Sequence, residues 1–323
     1  MKIKQCKFIY RKFVCLGIIL CSSFLFPSCE ESFDPYAPFR EKLIVNFILR
    51  ADTSLQIATV SRSHAENNPG GNYAVTDADV KLWIGDRVYT LRDTVIAERK
   101  YTDGTPMHCY YTNTFEPVSN EAAALRVETN QGKILTASTQ IPYTVTFNYT
   151  GGTSLPPKDQ NLRDKEVFTI AWKHPEEQMW FLPALSIRYM KPDGSVSSVR
   201  VPSDYVKYKG KAIPQYPGVM QQDEVYYKRS AIDSAMANIA PVAADKKKYT
   251  VLSAVFEVMV LDRHLAAYYM STNSEADSYS IQLDENDYTN IDGGFGIFAS
   301  FCRHTTSLVL DGQYVSNFGY KLK

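Results

Sequence analysis

Between Lys42 and Thr139 the chain repeats one pattern seven times: a short run rich in β-branched and aromatic residues, most often followed by Gly, Asn, Asp or Pro. The runs are Lys42 to Arg50, Ser54 to Ser61, Asp79 to Ile84, Arg87 to Leu91, Cys109 to Phe115, Ala124 to Thr129 and Ile134 to Thr139. Successive side chains of a strand point to opposite faces, so the polar–apolar alternation of Ser54 to Ser61 marks a half-buried strand. Gly85-Asp86 supplies a hairpin turn, and Asn130-Gln131-Gly132 turns the last pair. Seven such strands in roughly 100 residues predict an immunoglobulin-like β-sandwich, placed here over residues 41–142.

The remainder, 143–323, reads as a second β-rich domain with one or two short helices. Ile141-Pro142 closes the first unit, and Gly151 to Pro157 resembles a linker, so the boundary is placed near residue 143. Strands are expected at Glu166 to Lys173, Trp180 to Met190, Ser197 to Val201, Val251 to Leu261, Tyr279 to Leu283, Gly296 to Arg303 and Ser307 to Leu310. Ala231, Ile232, Ala235, Met236 and Ile239 recur at helical spacing, and Asp262 can cap a helix running to about Ser271. Residues 203–227 read as irregular and aromatic.

Residues 1–28 have the form of an export signal. Lys2, Lys4, Lys7, Arg11 and Lys12 precede an apolar run from Val14 to Phe26 that is shorter than the roughly 20 residues of a membrane span. Leu25-Phe26-Pro27-Ser28-Cys29 resembles a loose lipobox, which makes Cys29 the expected lipidation site and residues 29–40 a lipidated tether. Cys21 competes less well because Leu20 before it is large, and an uncleaved anchor helix is the other alternative. Glu30, Glu31 and Asp34 behind Cys29 resemble a surface-export signal; as a plain solvated tether they would leave the protein facing the periplasm. Removing the five basic residues of the signal leaves 35 − 5 = 30 basic against 35 acidic residues, a net of −5, which argues against a nucleic-acid partner. Only Cys109 and Cys302 then remain besides Cys29, and spacing alone does not say whether they pair.

The search for chemistry finds no Gly-x-Ser-x-Gly elbow, no His-Glu-x-x-His pair and no Cys-x-x-Cys, and implies no cofactor and no metal. His304 reads as a surface residue, and His174 with Glu176-Glu177 as an exposed turn rather than a metal site. Trp83, Trp172 and Trp180 fall in strand patterns and read as core. Tyr205, Tyr208, Tyr216, Tyr226 and Tyr227 form the candidate binding surface, since irregular segments seldom bury so many aromatics. Asn290 to Ala299 contains Gly294-x-Gly296-x-x-Ala299, but a dinucleotide fingerprint needs a strand before it and a helix after it. A calcium loop lacks its first Asp, where Tyr288 stands, and its bidentate Glu, where Ala299 stands. Gly293, Gly294 and Gly296 are therefore read as a structural motif, a turn or bulge that aims Ile297 and Phe298 into the second domain's core.

Several segments together carry a family resemblance: the lipobox, Leu43-Ile44-Val45, Ala137 to Pro142, Leu261 to Tyr269, and Asn290 to Phe298. The chain resembles the Bacteroidota lipoproteins grouped as domain of unknown function 4249 (DUF4249). The family tends to show Asn-Ile-x-Gly-Gly-x-Gly-x-Phe at the glycine segment; here Ala299 stands where glycine is more usual. The resemblance implies an outer-membrane, cell-surface lipoprotein accessory to a TonB-dependent outer-membrane barrel in nutrient uptake, and it carries over no catalytic residue. Three classes are weighed: this non-enzymatic accessory or ligand-binding role, an adhesin-like or fimbrillin-like structural protein, and an enzyme with an unrecognised site. The first is the expectation.

Overall fold

Along β1 (Leu43–Arg50) the alternation buries Leu43, Val45, Phe47 and Leu49 while the side chains between them stay partly exposed. β1 belongs to a computed structural model that describes residues 40–64, 73–100, 104, 106–148, 154–155, 166–176, 178–271 and 288–323. The signal, Cys29 and its acidic neighbours, Gly151-Gly152, Pro156-Pro157 and Tyr279 to Leu283 lie outside the described residues.

There follow β2 (Gln56–Arg62), β3 (Asp79–Ile84), β4 (Arg87–Lys100), β5 (Pro106–Thr112), β6 (Ala122–Glu128) and β7 (Ile134–Gln140), and the same period-two burial recurs along β2, β3 and β6. These are the seven expected strands with small shifts at their ends. β4 is the exception, running on past Leu91. Its first half pairs with β3 and its second half with β5, so one strand turns the corner between the two layers of a sandwich-like unit.

After β7 come β8 (Thr146–Asn148), β9 (Ser154–Leu155), β10 (Val167–Lys173), β11 (Trp180–Met190) and β12 (Val196–Val201). The stretch expected to be irregular instead holds β13 (Asp204–Tyr208), β14 (Lys211–Gln215) and β15 (Glu224–Lys228). The chain then forms α1 (Arg229–Ala237), β16 (Thr250–Leu261), α2 (Arg263–Ser271), β17 (Phe295–Leu310), α3 (Gly312–Asn317) and β18 (Lys321–Leu322). β17 is one strand where two were expected. Its His304-Thr305-Thr306 stretch is partly solvated, so polar side chains interrupt the apolar pattern without interrupting the ladder to β16. No helix among the described residues is long and apolar enough to cross a membrane.

The main sheet runs β12-β11-β16-β17-β1-β2-β5-β4-β3-β6-β7, with β18 on β16 and β9 on β17. Its centre is the parallel pairing of β1 with β17, in register from Ile44↔Phe295 to Arg50↔Phe301. The boundary expected near residue 143 therefore falls inside a continuous sheet, and Glu41–Lys323 forms a single compact unit. Its principal hydrophobic cluster draws Phe47 and Leu82 from the early strands and Trp172, Phe181 and Phe256 from the later ones. The Phe47 and Phe298 rings meet at 5.5 Å across the parallel seam. The strands also curl back on themselves: Thr136 of β7 exchanges backbone hydrogen bonds with Asp292, N to O, at 3.1 and 2.8 Å.

Candidate functional site

Where the strands curl back, the outward face of β3, β6 and β7 meets the start of α2. The cross-strand register sets Trp83 beside Ala124 and Ala124 beside Ser138. Small side chains at 122, 124 and 138 leave room that larger ones would fill. The result is a cavity of about 770 Å³, within the size range of small-molecule sites. Trp83, Tyr143, Trp180 and Arg263 line it, with Glu176 and Gln178 adding polar groups.

Trp83 and Trp180 are half-buried and line this space, in contrast to the core positions expected for them; Trp172 alone of the three lies in the core, 1% exposed. A signal was present in the strand pattern. Val80, Leu82 and Ile84 alternate inward, which puts Trp83 on the outer face with Lys81. The alanines opposite it complete the hollow.

Asp262 closes the cavity wall and is the one buried carboxylate among the described residues. Its Oδ1 accepts the Leu265 N–H at 2.7 Å, capping α2 as its sequence position suggests, while Thr139 Oγ1 donates to Oδ2. Its backbone N–H donates to Ser300 O at 3.1 Å, so one residue ties β16, β7 and β17 together. Burial pushes its pKa up to about 7, against the hydrogen bonds from Thr139 and backbone amides that pull it down. Nearby, Tyr143 is shifted upward by burial first and by its hydrogen bond to Glu176 second.

The glycine motif lies at the same seam. Gly293 and Gly296 have φ of +83° and +105°, conformations that L side chains rarely adopt. A Cβ on Gly293 would lie 2.7 Å from Ile134 O of β7, and one on Gly294 would lie 2.6 Å from Leu43 O and overlap Leu135 Cδ2. A Cβ on Gly296 would overlap Val45 O of β1. The Asn290 side chain continues the ladder, donating to Phe298 O at 2.7 Å and accepting Phe298 N–H at 2.9 Å. Beyond the glycines the strand splits its load. Phe298 enters the main core, whereas Ile297 enters a smaller cluster with Leu265 and Tyr268 of α2.

The five tyrosines separate. Tyr208, Tyr216 and Tyr226 are exposed and Tyr205 is half-buried. Tyr227 does not belong to that surface: it is fully buried in the main cluster, because Val225 and Tyr227 take the inward positions of β15. Tyr216 lies under the Arg200 guanidinium at 4.5 Å, and the Tyr226 hydroxyl donates to Glu224. Cys109 and Cys302 are separate buried thiols, and burial pushes the Cys302 thiol up to about 12, away from thiolate chemistry. His304 is half-buried rather than at the surface, and burial lowers its pKa. Among the described residues no group of three or more His, Cys, Asp or Glu is placed to hold a metal ion.

Comparison with curated proteins finds no match to this chain. Comparison with protein families finds a match over residues 30–307, which takes in β1, the cavity-lining strands and the glycine motif. The chain belongs to the family described as Domain of unknown function (DUF4249).

Proposed function

We propose that this protein is a non-enzymatic outer-membrane lipoprotein, lipidated at Cys29 and displayed on the cell surface, that holds a ligand for a TonB-dependent transporter during nutrient uptake. The observation that carries the proposal is the cavity. Two indoles and a phenol border a floor of small side chains, an arrangement that offers flat apolar contact together with a few fixed polar groups. Its buried carboxylate is committed to capping α2 and bonding Thr139, which suits a binding role better than proton transfer. The lipobox ending at Cys29 and the acidic Glu30, Glu31 and Asp34 supply the membrane address.

Filling the cavity tests the proposal. Ala124 faces outward, so Ala124→Trp is expected to block the space while leaving the melting temperature within a few degrees of wild type. Native mass spectrometry of wild-type protein purified from its own membranes should then show a small-molecule mass that the variant lacks. A variant that keeps that mass, or a wild type that carries none, speaks against this site.

A further inference from the structure

β13 and β14 pair only with each other, forming a two-stranded sheet outside the main one. Such a hairpin is marginal in water by itself. Here its base is held by Ser203 N–H donating to Gln215 O at 2.7 Å and by the Asp204–Lys228 ion pair at 2.6 Å. Toward the tip the composition changes. Val206 is paired with Ile213 and Tyr208 with Lys211, and Val206 and Tyr208 are 50% and 57% exposed. Lys207 stands opposite Ala212, and Lys209-Gly210 makes the turn.

Both turn residues have positive φ, +48° and +78°. Two-residue turns of this kind favour Asn-Gly, and a lysine in the first place is disfavoured by its own Cβ. The tip therefore keeps a cation where the backbone would prefer another residue. Lys209 Nζ also lies 5.1 Å from the Tyr208 ring centre. Among the described residues the ion pairs include none from Lys207, Lys209 or Lys211, and no carboxylate occurs between Val206 and Gln215. Three exposed lysines thus stand on a hairpin outside the main sheet, in a mature chain of net charge −5. Tyrosine and valine beside lysine on an exposed strand tip is the composition of a membrane–water interface, where the ring sits at headgroup level and the ammonium reaches phosphate.

We propose that the β13–β14 hairpin docks on an anionic, phosphate-bearing lipid surface. Val206 and Tyr208 enter the headgroup layer, and Lys207, Lys209 and Lys211 meet the lipid phosphates. The contact would orient the tethered domain on the membrane. It adds to the anchorage proposed at Cys29, and its test dispenses with that lipid, so the two can fail separately.

The experiment is co-sedimentation of the full mature chain carrying Cys29→Ser with vesicles of phosphatidylcholine alone or of equal parts phosphatidylglycerol and phosphatidylcholine. Binding is expected to the mixed vesicles only, and to weaken with added salt. Each lysine near an anionic surface strengthens association about five-fold, so Lys207→Gln/Lys209→Gln/Lys211→Gln should weaken it about a hundred-fold. The matching triple arginine variant should bind like wild type, which separates charge from any local effect on the turn. Tyr208→Ala should weaken binding without changing its salt dependence. Equal binding to neutral vesicles, or full binding by the triple glutamine variant, would overturn the proposal. So would a triple glutamine variant that still binds vesicles but no longer captures a membrane protein, an outcome that would make the hairpin a protein-docking element.

Discussion

Gly296→Ala is expected to lower the melting temperature of the mature chain by more than about 10 °C, or to prevent folding, while Gly132→Ala costs only a few degrees. Both glycines have positive φ, so both substitutions carry the conformational cost of roughly 1–2 kcal/mol. Their surroundings differ. Nothing lies within 4 Å of a Cβ on Gly132, whereas one on Gly296 would overlap Val45 O and lie 2.8 Å from Val45 C and 2.9 Å from Asn46 Oδ1. Val45 is the partner of Gly296 in the parallel ladder, so the clash is relieved only by moving β1 away from β17. That displacement would also part Phe47 from Phe298 in the core, adding a packing loss of about 1–3 kcal/mol. Thermal unfolding followed by far-ultraviolet circular dichroism, on chains carrying Cys29→Ser, reads the difference. Equal losses at the two positions would mean that the close approach of β1 is not what the motif serves.

The second large effect belongs to Asp262 and depends on pH. Because burial lifts its pKa to about 7 from an ordinary 3.8, the folded chain keeps a proton that the unfolded chain has already lost. Stability from this group is therefore present at low pH, falls as pH rises from about 4 to about 7, and is level above that. Three pH units at 1.36 kcal/mol each set the full loss on the order of 4 kcal/mol. Asp262→Asn keeps an oxygen for the Leu265 N–H but cannot ionise. Relative to wild type its melting temperature should rise between pH 5 and pH 7.5, by about 3 kcal/mol or roughly 10 °C. Comparing the two proteins at each pH removes the opposite contribution of His304, whose pKa burial lowers and whose stabilisation therefore rises with pH. A gap that stays constant across this range would show that Asp262 is ionised throughout and that its hydrogen bonds outweigh burial.

The parts of the fold that sequence revealed are those fixed by local pattern. β2 alternates apolar and polar residues, β1 is rich in β-branched and aromatic residues, and Asp262 announces α2 because capping is a local interaction. The pairing of β1 with β17 was hidden, since its register depends on residues brought together only by the finished sheet. The boundary placed at 143 followed from the same gap: strands from both sides of it join one sheet, and the Pro142 carbonyl accepts from Ser119 and Cys302, while Gly151 to Pro157, the segment read as a linker, lies mostly outside the described residues. In residues 203–227 the prolines and glycines masked three strands, although Val225 and Tyr227 already alternated with Glu224, Tyr226 and Lys228. The cavity was the least legible feature. A hollow is made by what is missing at Ala122, Ala124 and Ser138, and small residues on an outer face carry no signal until the distant Trp180, Asp262 and Arg263 are seen to border them.

The central proposal is that this chain, lipidated at Cys29, works beside a TonB-dependent barrel. The direct measurement is affinity purification of the full lipidated protein from its own outer membranes in gentle detergent, with the Cys29→Ser chain as control, followed by mass spectrometry. The account predicts that wild type brings down a barrel of that class in near-equal amount and that the control, left without its anchor, does not. A wild type that emerges without a barrel, as a ladder of its own multiples on native gels, would contradict it and favour a structural, adhesin-like role.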